Sequence, residues 1–364
     1  MRQHPALVIN HKLLKENMRT VIGWCADAGI GVTGVIKVLN GRPEEMLGYE
    51  EAGAVMIASS RLEQLARARE AGVKVPLLMI RVPMLSELGE MLDICEYSLE
   101  SELRTLNEIN ERAAAKGITH KVILMADLGD LREGFIDCDE LVAVAEHVEK
   151  ELPAVYLAGI GTNLGCYGSV VPTEQNMTQL AELAERIESV IGRKLDIISG
   201  GATSSMLPVF DKVMPGRINN LRIGEMVHVG ALDGTVTCFG RKEPATLSDE
   251  AITLEAEVIE VKTKPTHPIG ELGINAFGQR PTYVDRGNRK RALLAVGAAD
   301  YGDIGDIIPQ LDGAEVIGAS GDHTILDIED CTENIRVGDT VKFKLKYSAI
   351  LRLSGSENVK KYDI

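Results

Sequence analysis

The 364-residue chain predicts an α/β protein: a (β/α)8 barrel, TIM-like, followed by a C-terminal all-β domain. Three observations carry that prediction. Eight short apolar runs alternate with helical patterns from about residue 11 to 225, the eight units occupy about 215 residues, and helical periodicity nearly vanishes after about residue 235.

Taken in order, the runs are GVTGVIKV (31–38), AVMIAS (54–59), VPLLMI (75–80), ICEYSL (94–99), KVILMAD (121–127), VYLAGIG (155–161), DIISGG (196–201) and NLRIG (220–224). Continuous β-branched and aliphatic runs of this kind read as parallel strands buried on both faces. Between them lie PEEMLGYEEAG, SRLEQLARAREAG, SELRTLNEINERAAAKG and TEQNMTQLAELAERIESVIG, several of which start at Ser, Thr or Pro and stop at Gly, as capped helices do. A doubly wound sheet is the alternative, but it usually has fewer strands. Beyond residue 235, AITLEAEVIEVKTK, RALLAVGAA, GAEVIGAS, HTILDI and TVKFKLKYSAILRL read as strands broken by Gly, Asp and Pro. The expected domains are 11–235 and 236–364, with an N-terminal strand within residues 1–10 (ALVIN) joining the second.

Composition narrows the function. A net charge of −15 repels nucleic acid and anionic lipid, and no long Lys/Arg block offsets it. Aromatic residues at 4% argue against a stacking groove for single strands. Small molecules and copies of the chain are the expected partners. Six scattered cysteines without a C-x-x-C pair fit a reducing compartment, and with no export signal or membrane-length apolar stretch the expected location is the cytoplasm. Seven histidines form no metal-spaced cluster, so no metal is expected.

Barrels place chemistry at the C-terminal ends of their strands. Lys37 stands there on the first barrel strand. It reads either as a snorkelling lysine or as a Schiff-base lysine whose partial burial leaves a neutral amine to attack a carbonyl. The fifth run leads into ADLGDLREGF, with Asp127, Asp130 and Arg132, and the sixth ends GIGTNLGCYG, with Asn163 and Cys166. Neither a dinucleotide fingerprint nor a P-loop is present. The seventh and eighth end SGGATSSM and LRIGE, Gly- and hydroxyl-rich turns of the kind that hold a phosphate. A lysine across the barrel from a phosphate site suggests pyridoxal 5′-phosphate.

The ordered motifs Lys37, DLGDLREGF, GTNLGCYG, SGGATSS, NLRIGE, PIGELGINAFG and GASGDHTILD resemble the alanine racemase type of pyridoxal-phosphate enzyme, and most of all its ornithine and alanine racemase subgroup. The resemblance implies an amino-acid racemase in which Lys37 forms the Schiff base and transfers the α-proton on one face. It implies that Arg132 lies near the cofactor's phenolic oxygen and the substrate carboxylate, and that Asn163 replaces a histidine beside the ring. Thr203 and Ser204, with the backbone of Gly224 and Glu225, would hold the phosphate, and Arg222 would face the pyridine nitrogen. Gly321 and Asp322 match a loop that binds substrate carboxylate. The opposite-face tyrosine of the relatives, contributed by the β domain of the partner in a homodimer, falls at Ala298; Asp300, Tyr301 and His323 are the candidate replacements.

A single barrel-end cysteine is one short of the facing pair used by cofactor-independent racemases, so Cys166 reads as structural. PIGELGINAFG points to ornithine or a related basic amino acid, with Glu271 or Asp300 as candidate partners for a distal ammonium. Alanine is the alternative substrate. A non-catalytic pyridoxal-phosphate carrier is the alternative role, although such a carrier has no need of a partner lid.

Overall fold

In a computed structural model that describes residues 2–278 and 280–364, the chain divides into two compact units, Leu14–Ser248 and Met1–Leu13 with Asp249–Ile364. The first begins after strand β1 (Ala6–Ile9) and contains a closed parallel barrel. Its strands are β2 (Gly31–Val35), β3 (Met56–Ser59), β4 (Leu77–Met79), β5 (Tyr97–Glu100), β6 (His120–Met125), β7 (Val155–Gly161), β8 (Ile197–Ser199) and β9 (Asn220–Ile223). Six lie within the apolar runs, while β5 and β6 overlap theirs and extend one residue beyond, to Glu100 and from His120. The barrel closes where β2 pairs with β9, Thr33 opposite Arg222 and Gly34 opposite Ile223.

Alternate residues fill the interior. Val35, Met56, Ala58, Leu78, Tyr97, Leu99, Ile123, Met125 and Ala158 form one buried cluster, spaced by two along each strand as the pleat requires. The interior is polar along one arc, where Asn220 donates to Thr33 Oγ1 at 2.9 Å and Ser199 donates to Asn220 Oδ1 at 2.8 Å. Gly159 lets β7 approach β8: a Cβ there would lie 2.0 Å from Ile197 O. Thr173 and Asn176 form a capping box at the start of Glu174–Ile191, and left-handed Gly117 and Gly192 end their helices. Ser60 and Ser101 do not cap; Arg61 and Glu102 occupy those N-cap positions without a side-chain bond.

The first unit runs past residue 235 because the turns Gly234–Thr237 and Glu243–Thr246 are helical and Asn17 grips Ser248. Its Nδ2 donates to Ser248 O and its Oδ1 accepts from Ser248 N, both at 2.8 Å.

The second unit is one eight-stranded sheet. Besides β1 it holds β10 (Ile252–Pro265), β11 (Asn288–Leu294), β12 (Ile307–Pro309), β13 (Glu315–Ala319), β14 (Thr324–Asp327), β15 (Thr340–Leu345) and β16 (Lys360–Asp363). The N-terminal β1 runs antiparallel to β10 and parallel to β16, so both chain ends lie in this sheet. Two runs expected as strands change type midway. RALLAVGAA leaves β11 and enters the short helix Ala298–Tyr301, and TVKFKLKYSAILRL becomes the helix Tyr347–Gly355 after β15. In the latter, Ala349, Ile350, Leu353 and Ser354 are buried, a helical spacing hidden behind β-branched and aromatic neighbours. PIGELGINAFG lies between β10 and β11 as an exposed irregular segment, with Ile269 90% accessible.

Candidate active site

Strand β2 ends at Val35, and Lys37 lies in the tight turn that follows, with Gly41 N bonded back to Ile36 O at 3.0 Å. Burial holds the Lys37 amine below the usual lysine range, Arg132 adding to the effect and Cys166, Glu225 and Glu133 opposing it. These residues come from the loops after β2, β6, β7 and β9. They bring an amine, a guanidinium, a thiol and carboxyl groups to one end of the barrel.

The DLGDLREGF loop is closed at its base by a single parallel bridge between Ala126 and Phe135, where Phe135 N donates to Met125 O at 2.8 Å and Asp127 N to Phe135 O at 3.0 Å. Asp127 Oδ1 accepts from Gly129 N and Leu131 N, folding the tip so that Leu131 takes φ 58°, an uncommon angle for a non-glycine residue. Arg132 follows, its Nη2 donating to Glu133 Oε1 at 2.6 Å; that pairing raises its pKa first of all, so its charge is secure. Asp130 serves as an acceptor within the fold. Its buried carboxylate accepts from Gly165 N at 3.0 Å, Tyr167 N at 2.9 Å and Val170 N at 3.3 Å. Burial opposes its ionisation, but these donors outweigh it and keep the carboxyl below the usual range. Asp130 thereby locks the GTNLGCYG loop, on which Cys166 is exposed rather than packed.

Arg222 is 4% accessible, its Nη1 donating to Ser199 Oγ at 2.6 Å and its Nη2 to Thr162 O at 2.8 Å. Burial lowers its pKa to about 10, which leaves it protonated at neutral pH. It therefore offers only donors to any neighbour. Thr162 is itself held by its bond to Ala126 O at 2.9 Å, so Arg222 is fixed through two other strand ends. Next in sequence, Asn163 leaves its buried Nδ2 without a hydrogen-bond partner among the described residues. Such an orphan donor has a cost unless a guest satisfies it.

Thr203 and Ser204 open a 3-10 turn, Thr203–Ser205, that runs into the helix Met206–Phe210. Ser204 Oγ donates to Leu164 O at 2.7 Å, so its proton is spent within the fold. Across β9, Gly224 packs so closely that a Cβ would sit 3.1 Å from Val35 Cβ. Glu225 then begins the helix Glu225–Val229. Burial first, and Asp233 second, push the Glu225 carboxyl up to about 7, against the pull of Lys37.

The candidates in the β unit have their own surroundings. Asp300 is 7% accessible and accepts from Ser356 Oγ at 2.8 Å. Tyr301 is fully buried, its hydroxyl 2.7 Å from Thr324 Oγ1, and burial raises its pKa. His323 is exposed, with Nδ1 3.3 Å from Ser320 Oγ. Gly321 O accepts from Ala299 N at 3.1 Å, Asp322 is exposed beside it, and Glu271 is exposed in the segment between β10 and β11.

Sequence reasoning passed over Ser199, Thr162, Glu133, Asp233, Glu45 and His228. Ser199 was legible as the residue just before the glycine pair, on the interior parity of β8; the others needed contacts distant in sequence.

A parallel barrel with a desolvated lysine, a buried arginine and two Gly- and hydroxyl-rich turns at one end has the layout of a barrel enzyme, whose site lies at the C-terminal ends of its strands. The chain belongs to the alanine racemase family: residues 9–231 match the family's "Alanine racemase, N-terminal domain". It is 34% identical to an ornithine racemase of Acetoanaerobium sticklandii, over 98% of this chain and 99% of that protein. It is 36% identical to a lysine racemase of Thermotoga maritima, over 98% of each chain. Among solved structures, an alanine racemase from D-cycloserine-producing Streptomyces lavendulae superposes with a TM-score of 0.77 at 18% identity, covering 100% of this chain and 98% of that one. A D-threonine aldolase from Filomicrobium marinum shares the fold at TM-score 0.71 and 15% identity, over 97% and 89% of the two chains.

Proposed function

We propose that this chain is a pyridoxal 5′-phosphate-dependent racemase that interconverts the L- and D-forms of a free basic amino acid, ornithine or lysine. The observation that carries the reading is the desolvated Lys37 amine at the C-terminal end of a barrel, among Arg132, Glu225 and Cys166. The identity to relatives named for ornithine and lysine, near full length in both, supports the substrate class.

The residues present fit the cofactor. A lysine with a lowered pKa supplies neutral amine for its carbonyl, the Gly224–Glu225 and Thr203–Ser204 backbones offer N–H donors to a phosphate, and Asn163 Nδ2 is a donor awaiting a partner. When bound, the cofactor would supply an electrophilic carbonyl and an electron-withdrawing ring that acidifies the substrate Cα–H. Lys37 then removes or returns the α-proton on one face. Arg222, protonated and able only to donate, would face the ring nitrogen as a donor and so limit the ring's electron withdrawal. Arg132 binds the substrate carboxylate while Glu133 steadies its guanidinium.

The opposite face needs a second acid/base. Of the three candidates His323 alone presents an exposed titratable atom, whereas Asp300 and Tyr301 are engaged within their own unit. We assign that role to His323, and carboxylate binding to the Gly321–Asp322 backbone, both from the β unit of a second copy in a homodimer.

Deuterium wash-in at Cα tests the function directly. With cofactor present, exchange on ornithine and lysine should exceed that on alanine by about tenfold or more. Fastest exchange on alanine would refute the substrate class, and no exchange on any of the three would refute racemisation.

A further inference from the structure

One buried pair lies beside the proposed phosphate turn and takes no part in the chemistry above. His228, on the helix Glu225–Val229, is 1% accessible, and Glu45, on the helix Pro43–Glu51, is 0% accessible. His228 Nε2 lies 2.7 Å from Glu45 Oε1, and His228 Nδ1 lies 2.6 Å from Gly224 O.

The protons on this pair follow from the donor inventory. A carbonyl oxygen can only accept, so Nδ1 carries a hydrogen and donates to Gly224 O. At Nε2 the proton is shared with Glu45: either the imidazolium donates to a carboxylate, or a protonated carboxyl donates to a neutral ring. Both arrangements are neutral overall, as two fully buried ionisable groups require. Burial pushes the Glu45 carboxyl upward and the contact with His228 opposes it. In either state Nδ1–H remains aimed at Gly224 O.

That oxygen belongs to the peptide group that ends in Glu225 N–H. A peptide unit is planar, so fixing its carbonyl fixes the direction of its N–H on the other side. A hydrogen bond accepted by the carbonyl also polarises the N–H, making it a stronger donor. Neighbours hold the same turn in place: Tyr49 Oη donates to Ile223 O at 3.2 Å, and Val35 packs against Gly224. Glu45 and Tyr49 share one helix, which follows the Lys37 turn.

We infer that His228, braced by Glu45, is a positioning residue that aims and strengthens the Glu225 backbone N–H as a donor to the cofactor phosphate. The inference rests on the proposed assignment of this turn to the phosphate. His228 touches neither cofactor nor substrate; it acts through one peptide group.

Two substitutions at the same site separate positioning from packing. Asparagine places an amide nitrogen where Nδ1 stands and keeps the donor to Gly224 O, whereas glutamine reaches toward Glu45 and loses it. The full-length chain and its His228→Asn and His228→Gln variants are titrated with pyridoxal 5′-phosphate, with pyridoxal, and with inorganic phosphate as competitor. His228→Gln should weaken pyridoxal 5′-phosphate and inorganic phosphate by about tenfold and leave pyridoxal unchanged, while His228→Asn stays near the parent chain. Equal weakening of pyridoxal and its phosphate, or no weakening in His228→Gln, overturns the inference. If the parent chain binds the two equally well, the phosphate assignment itself fails, and the inference with it. Should His228→Gln not fold, Glu45→Gln takes its place: it leaves the ring without its carboxylate brace and should give the same selective loss at about threefold, and unchanged selectivity there overturns the inference.

Discussion

The barrel mouth and the β unit use the same charged residue types to opposite effect. Around the mouth, burial dominates: Lys37 and Arg222 are pulled below their ordinary values, and Glu45 and Glu225 are pushed above theirs. In the β unit, pairing dominates. Arg289 Nε donates to Asp327 Oδ2 at 2.6 Å and its guanidinium also pairs with Asp330, which raises the arginine further. Burial works against ionisation of Asp327 as well, yet Arg289 and Glu329 N–H outweigh it and hold its carboxyl low. Arg289 and Asp327 are thereby held in their charged forms and serve structure. Lys37 and Glu225 at the mouth are moved toward neutrality instead, where a small change of surroundings moves a proton.

The largest test of that contrast is Lys37→Ala. Racemisation should fall by about 10³-fold or more, and the visible band of a lysine-bound cofactor should be absent. Retained activity would show that the lowered amine is incidental.

A second test compares backbone tightness in the two regions. Gly159→Ala forces a Cβ to within 2.0 Å of Ile197 O, whereas at Gly273, between β10 and β11, nothing lies within 4 Å of an added Cβ. Urea denaturation should show a loss of about 3 kcal/mol for Gly159→Ala and less than about 0.5 kcal/mol for Gly273→Ala. Equal losses would remove the distinction.

A third test follows the pH dependence of Glu225. Its carboxyl is raised from 4.5 to about 7 in the folded chain, so the folded state holds this proton more tightly than the unfolded state. The stability it contributes is complete below about pH 4.5 and is lost as pH rises through about 7. Relative to Glu225→Gln, the parent chain should therefore lose about 1–3 kcal/mol across that window, read from denaturation midpoints. A parallel pH dependence of the two proteins would place Glu225 in ordinary solvent.

The smallest effect sharpens the comparison by separating burial from location. Arg112 and Glu108 pair at 3.2 Å on a barrel helix, yet both are well exposed. Arg112→Ala should cost only about 0.3 kcal/mol by thermal or urea unfolding, because water screens the pair. A large loss would mean that membership of the barrel unit, rather than desolvation, sets the energetics.

The barrel was legible because each parallel strand is buried on both faces and so appears as an unbroken apolar run. GVTGVIKV and KVILMAD needed no partner to be recognised. Lys37 stood out for the same reason, as a charge in an apolar setting, whereas Arg222 was reached only through the family resemblance of NLRIGE. The helix Tyr347–Gly355 was hidden because Tyr, Ile and Leu suit either conformation, and only packing selects helix there. The partners of Asp130 were hidden for a related reason. Its three backbone donors come from Gly165, Tyr167 and Val170, and nothing near Asp130 in sequence announces them.

By itself, then, the sequence determined the eightfold alternation, the change to strands in the C-terminal part, and the residue types at the strand ends, since all three follow from local periodicity and spacing. Only the tertiary structure decided which of those residues are desolvated and what they face. Burial and hydrogen-bond partnership are properties of elements brought together across long stretches of chain, as with Glu45 beside His228 and Arg222 between Ser199 and Thr162. Those same two properties set the protonation of each group, and with it the chemistry the barrel end can perform.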